Sequence, residues 1–239
     1  MPPHTFLSPY IDAYWKVTGS QYQLINQKIL PDGCVDIILN VGEDIPDSDG
    51  QFCLKNESAY LVGTMTRFKN SMLLPQTSLI GVRFKPAGFS FFYNFASLHE
   101  ITNQTIEFEK SLSPRIEKCL DNPFSYLDHF FLAKIDTARH GLLGIIESIE
   151  VKNGRLSVPM LAEEHCTTTR QLERSFKRFI GISPKEFINI VRFKHAHSLL
   201  TSETTKRDLL SIALNCGYYD HAHLGNEIKK YTGSTPSEL

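Results

Sequence analysis

Arg170, Glu173, Arg174 and Lys177 recur at intervals of three and four residues within TRQLERSFKRFI. On a helix that spacing brings side chains onto one face. Each guanidinium there can bond O6 and N7 of a guanine edge, and the Glu173 carboxylate can accept from cytosine N4. Lys177 can neutralise a phosphate. A second set, His221, Ala222, Gly225, Asn226 and Lys229, lies in HAHLGNEIKKY. Only His221 and Asn226 offer comparable reading groups in that set, around the small Ala222 and Gly225.

The elements that must carry these sets repeat. At an offset of 52, Leu172 matches Leu224, Phe176 matches Ile228, Gly181 matches Gly233 and Pro184 matches Pro236. Each copy has the parts of a helix-turn-helix. In the first, Ser157 is an N-cap with Pro159 in the first turn, Cys166-Thr167 is the turn, and Thr168 caps the next helix. Thr168 therefore joins the candidate contact set at the helix start. Leu172, Phe176 and Phe179 form the buried stripe. In the second, Asp208 caps a short helix, Gly217 supplies the left-handed turn and Asp220 caps the outer helix. Leu224, Ile228 and Tyr231 face inward. PKEFINIVRFKHAHSLL has the length and stripe of a connecting helix.

Charge divides in the same way. Residues 151–239 carry 13 Lys and Arg against 9 Asp and Glu, whereas residues 1–150 carry 12 against 17. A basic C-terminal part suits a polyanion partner. The N-terminus MPPHTFLSPY lacks the features of a secretion signal, and no long apolar run predicts a membrane span. Five scattered cysteines without a CxxC pair argue against a disulfide framework and for a reduced, cytoplasmic setting.

Residues 1–112 read as short strands broken by turns, the pattern of a β-barrel or sandwich. The expected turn is Pro31-Asp32-Gly33, and residues 42–50 form a polar loop. The stretch after Pro86 is a short helix or a packed loop. Ser113-Pro114 and Asn122-Pro123 look like helix starts. IDTARHGLLGIIESIE carries a helical apolar stripe at 135, 138, 142, 143, 145, 146 and 149. The expected fold class is α+β: a barrel-like domain over 1–112, a helical connection over 113–134, and an all-α double helix-turn-helix domain over 135–239.

The segments LAEEHCTTTRQLERSFKRFIGISPKEFINIVRFKHAHSLL and IALNCGYYDHAHLGNEIKKYTGSTPSEL resemble the AraC/XylS family of bacterial transcription regulators. The resemblance runs from about Ile135 to the C-terminus. It implies seven helices, with the third and sixth as recognition helices, and a structural role for Arg192. Asn226 stands where many members have Arg, and Gly225 is unusual inside a recognition helix. ILPDGCVDIILN, VGTMTR and GVRFKPAGF resemble β-rich sensor domains of the family. The implied partners are double-stranded DNA, a small-molecule effector, RNA polymerase and a second copy of the chain.

Other chemistries fit less well. A metal-dependent barrel enzyme needs about three histidines and a carboxylate around one ion, and residues 1–112 hold only His4 and His99. His195/His197 and His221/His223 are spaced i, i+2, which do not face each other on a helix. Cys34 and Cys53 cannot supply a four-cysteine zinc centre. No catalytic residue, metal or cofactor is therefore expected. The alternatives are a small-molecule-modifying enzyme or a protein-interaction module carrying a DNA-binding domain. For an effector pocket the candidates are Tyr14, Trp15, Asp36, Arg83 and Phe84, with an Asp36–Arg83 pair as the bland alternative.

Overall fold

The computed structural model describes residues 1–20, 25–46, 52–136, 140–202 and 208–239. Among the described residues nine strands precede seven α-helices. The strands are β1 (Ile11–Thr18), β2 (Ile25–Ile29), β3 (Val35–Asn40), β4 (Ile45–Pro46), β5 (Cys53–Leu54), β6 (Ser58–Val62), β7 (Lys69–Leu73), β8 (Ser78–Phe84) and β9 (Thr105–Phe108). The helices are α1 (Pro123–Lys134), α2 (Leu142–Val151), α3 (Val158–Glu164), α4 (Thr169–Phe179), α5 (Pro184–Leu200), α6 (Leu209–Asn215) and α7 (His221–Thr232).

Five antiparallel strands form one sheet in the order β1-β8-β3-β6-β9. The antiparallel pairs β2-β7 and β4-β5 make two smaller sheets. The architecture is α+β as expected, but the barrel is not closed. Alternation along each strand decides which residues meet. Tyr14 of β1, Ile37 of β3 and Phe84 of β8 are buried on one face. That face packs on Phe89, Phe92 and the α1 residues Leu127 and Phe131, with Phe131 edge-on to Phe84 and Phe92. The 113–134 segment, expected as a connection, thus contributes α1 side chains to the N-terminal core.

Several local expectations change. Ser113-Pro114 does not open an α-helix; a 3-10 turn follows at Ile116–Cys119, while Pro123 does begin α1. The helix expected from Ile135 begins at Leu142, because Ile135 is the extended cap that ends α1. Ala138 and part of the 42–50 loop lie outside the described residues. The stretch after Pro86 forms two 3-10 turns, Gly88–Phe91 and Leu98–Ile101.

A second core fills the helical part, built from α2 Ile149, α3 Leu161 and Ala162, α4 Leu172 and Phe176, α5 Phe187 and Phe193, and α7 Leu224, Ile228 and Tyr231. Counted from α2, the third and sixth helices are α4 and α7. The place of a seventh is taken by a 3-10 turn at Pro236–Glu238.

Candidate nucleic-acid interface and sensor cavity

In the first unit, Ser157 caps α3 by accepting from the Met160 N–H at 3.4 Å. The turn passes through Cys166, whose φ of 48° is left-handed. Thr168 then closes a capping box: its hydroxyl accepts from the Gln171 N–H at 3.2 Å, and Gln171 Oε1 accepts from the Thr168 N–H at 3.1 Å. This reciprocal satisfaction fixes where α4 starts. With the start fixed, Leu172 and Phe176 go inward, and Arg170, Arg174 and Lys177 are exposed. Glu173 is half-buried beside them. Thr168 is exposed too, but its hydroxyl is occupied in the cap.

The second unit follows the same logic. Asp220 accepts from the His223 N–H at 2.7 Å and starts α7. His221, Ala222, Asn226 and Lys229 are exposed, and Gly225 is partly so. A Cβ added at Gly225 would meet nothing within 4 Å, so packing in the free protein does not demand this glycine. Asp208 sits at the N-cap of α6 but makes no side-chain capping bond. The first turn of α6 is exposed, so water can satisfy its N–H groups. Gly217 has the expected positive φ, 77°.

The connecting helix α5 holds the two units in place. Arg192 donates through Nε and Nη2 to the Gly154 carbonyl at 3.1 and 2.9 Å, and its guanidinium lies over the Tyr218 ring. It thereby joins the end of α2 to the turn of the second unit, in keeping with a structural role. At the α5 N-terminus, Glu186 accepts from Lys230 and from the Tyr231 hydroxyl, which ties α5 to the end of α7. The histidine pairs are not brought together as ligands. His197 packs against Phe193, and burial lowers its pKa; His223 faces Tyr218. Among the described residues no group of three potential ligands could hold a metal ion.

The N-terminal domain grips the ends of both outer helices. The Thr64 hydroxyl, fully buried, donates to the Ile180 carbonyl just past α4. Thr102 donates to the Gly181 carbonyl at 2.7 Å, and His99 Nδ1 lies 2.8 Å from the same oxygen. Phe68 packs on Gly233, the left-handed C-cap of α7, where a Cβ would come within 2.5 Å of the ring. Lys28 lies over Phe68 and reaches Ser234 at 3.3 Å. One loop, 63–68, thus touches the end of each unit.

The other face of the main sheet lines a cavity of about 380 Å³, covered by the β2-β7 and β4-β5 pairs. Of the five pocket candidates, Trp15, Asp36 and Arg83 line it. Tyr14 and Phe84 do not. They are sequence neighbours of Trp15 and Arg83, so strand alternation turns them into the core instead. Composition did not reveal the apolar partners Ile38, Phe52, Met65 and Met72. The alternation of VDIILN would have placed Ile38 beside Asp36. The Trp15 indole donates to Asp36 Oδ1 at 3.1 Å and lies over Gly81, where a Cβ would be 2.0 Å from the ring. Arg83 pairs with Asp32, with Asp36 at 3.8 Å and with Asp12 at 4.0 Å. Burial pushes the Asp36 carboxyl up to about 7, against the Trp15 hydrogen bond, which lowers it; Asp12 adds to the rise.

Residues 161–239 match the family described as "Helix-turn-helix domain", and residues 1–107 match "Domain of unknown function (DUF6597)". The HTH-type transcriptional regulator ArgR of Pseudomonas aeruginosa is 29% identical over 83 residues, 35% of this chain and 25% of that protein. The match therefore spans about a quarter of that relative's length. A solved structure described as a probable AraC family transcriptional regulator, from Rhodopseudomonas palustris, is 30% identical. It covers 39% of this chain and 88% of its own, with a TM-score of 0.37. Through its C-terminal domain the chain belongs to the AraC family. ToxT from Vibrio cholerae aligns over 95% of this chain and 96% of its own at 13% identity and a TM-score of 0.48. Within the matched residues α4 and α7 are the second helices of their units. No helix among the described residues is long and apolar enough to cross a membrane.

Proposed function

We propose that the chain is a sequence-specific transcription regulator that inserts α4 and α7 into the major grooves of double-stranded DNA. The reading is carried by one observation: two capped helices, each backed by the same core, present polar faces from a single braced unit. Two such helices on one rigid domain can enter successive grooves about 34 Å apart. Arg170, Glu173 and Arg174 read bases from α4, and Lys177 and Lys229 meet phosphates. His221 and Asn226 read from α7, with Ala222 and Gly225 allowing close approach.

The N-terminal domain, residues 1 to about 136, acts as the sensor, and its cavity takes a small effector beside Trp15, Asp36 and Arg83. Contacts of the 63–68 loop carry occupancy to the two units. RNA polymerase and a second copy of the chain are the further partners this reading supplies, and the cytoplasm its place of action. The chain's role is binding rather than turnover. Selection from a random pool of duplex DNA tests the reading. It should enrich a motif of two short conserved blocks about one helical turn apart. A pool that stays unenriched would sink it.

A further inference from the structure

Asp36 and Arg83 put a carboxylate and a guanidinium on the cavity lining. Asp12 and Asp32, which do not line it, engage the same guanidinium, so three carboxylates share Arg83. Arg83 is already engaged by Asp32 and flanked by the other two, so an entering anion would have to displace a carboxylate. Among the described residues the one lysine on the lining, Lys69, is exposed on the covering strand β7. Asp36 differs from its neighbours. Both of its described contacts, to Trp15 and Arg83, fall on Oδ1, which leaves Oδ2 for a ligand. The rest of the lining is largely apolar, with Trp15, Ile38, Phe52, Met65 and Met72, and it also carries the uncharged polar Gln27, Asn70, Ser71 and Thr105. Cavities of this size bind small molecules through an apolar body and a few placed polar groups.

We propose that this cavity binds a small hydrophobic amine, its ammonium held by Asp36 and its apolar body laid against Trp15 and the covering strands. The inference rests on reading the cavity as the effector site, and it adds the ligand's chemical class. Three carboxylates share the one Arg83 guanidinium, so an ammonium adds a positive charge where carboxylates are in excess and donates to Asp36. The flat indole, held over Gly81, adds an attractive face for a cation. Of the cationic side chains on the lining among the described residues, a carboxylic acid would find only the exposed Lys69 unengaged by the acidic cluster.

The groups facing Asp36 set the pH response. They are Asp12 and Trp15 from β1, Arg83 from β8, and Asp32 and Cys34 from the segment before β3. Asp36 titrates at about 7, so it is mostly protonated at pH 6 and mostly ionised at pH 8. An ammonium binds the ionised form. Affinity should therefore rise about tenfold between these pH values, with proton release on the acid side.

Trp15 is the only tryptophan in the chain, so its emission reports this cavity alone. The full chain is titrated with 2-phenylethylamine, 2-phenylethanol and 3-phenylpropanoate, at pH 6 and pH 8. The amine should give a saturable change and bind at least tenfold tighter than the alcohol or the acid at pH 8. Asp36→Asn should remove the amine's advantage, and Lys69→Ala should leave it unchanged. A thermal melt of Asp36→Asn guards against simple unfolding, and the pH dependence of the native chain stands without any variant. Tighter binding of the acid, lost in Lys69→Ala, would overturn the proposal. So would an amine preference that survives Asp36→Asn. No response to any of the three, in protein that still binds duplex DNA, overturns the amine site and spares the regulator reading. Amine binding in protein that binds no duplex DNA supports the site and overturns that reading.

Discussion

Arg174 and Asn226 stand at matched places in the two units, and their chemistry differs. A guanidinium can grip a guanine edge with two bonds, and Arg170 one turn earlier gives α4 a second such grip. Arg174→Ala should cost about 1–3 kcal/mol on the selected duplex and relax base preference at one block. Asn226→Ala should cost less and act more evenly across sequences. Titrating both variants on matched and altered duplexes checks this; the reverse ranking would move specificity to α7. Gly225 allows a test with two signs. Its missing Cβ would meet open space, so Gly225→Ala should stabilise the free protein by about 0.5–1 kcal/mol through helix propensity. If α7 lies against DNA at this point, the same change should weaken binding. A raised Tm with unchanged affinity would show that α7 is not seated closely. Asp36 adds a pH effect on folding. Its carboxyl is raised in the folded chain, so the folded state holds a proton that the unfolded state releases. Its contribution to stability should fall as pH rises from about 4 to about 7, and Asp36→Asn should flatten that part of the melting profile.

Elements with local signatures were legible in the sequence. The caps Thr168 and Asp220, and the inward stripe of Leu172 and Phe176, fix α4 and α7 through bonds and periods spanning a few residues; the Gln171 half of the Thr168 cap emerged only in the structure. The cavity was only half legible. Trp15 and Tyr14 are adjacent and both aromatic, and only strand register decides which one faces the ligand. The grip of the N-terminal domain was not legible at all, because Thr64, Thr102 and His99 reach backbone carbonyls of Ile180 and Gly181, which any residue provides. These contacts can be tested. Thr64→Val keeps the shape but leaves the buried Ile180 carbonyl without that donor, which should cost about 1–3 kcal/mol. Because Met65 of the same loop lines the cavity, the variant should also weaken any effect of a cavity ligand on DNA affinity. Full retention of ligand response would remove the loop from the coupling route.

At the scale of the whole molecule, two cores meet through turns and helix ends. The N-terminal core does not stop where the strands do. Leu127 and Phe131 of α1 are fully buried in it, and losing both would forfeit about 3–6 kcal/mol, a large share of a typical domain's stability. A fragment of residues 1–136 should therefore fold with a β-rich spectrum, and one ending at 112 should not. Equal folding of both would place α1 outside the domain. The central claim is that the two helical units read DNA, and its most direct test is the affinity of the full chain for its selected duplex and for a scrambled one, across a range of salt. On the scrambled duplex log affinity should fall against log salt with a slope of about −0.9 per phosphate contacted. The selected duplex should bind tighter by roughly a thousandfold or more. A slope near zero, or equal affinity for the two duplexes, would contradict the account.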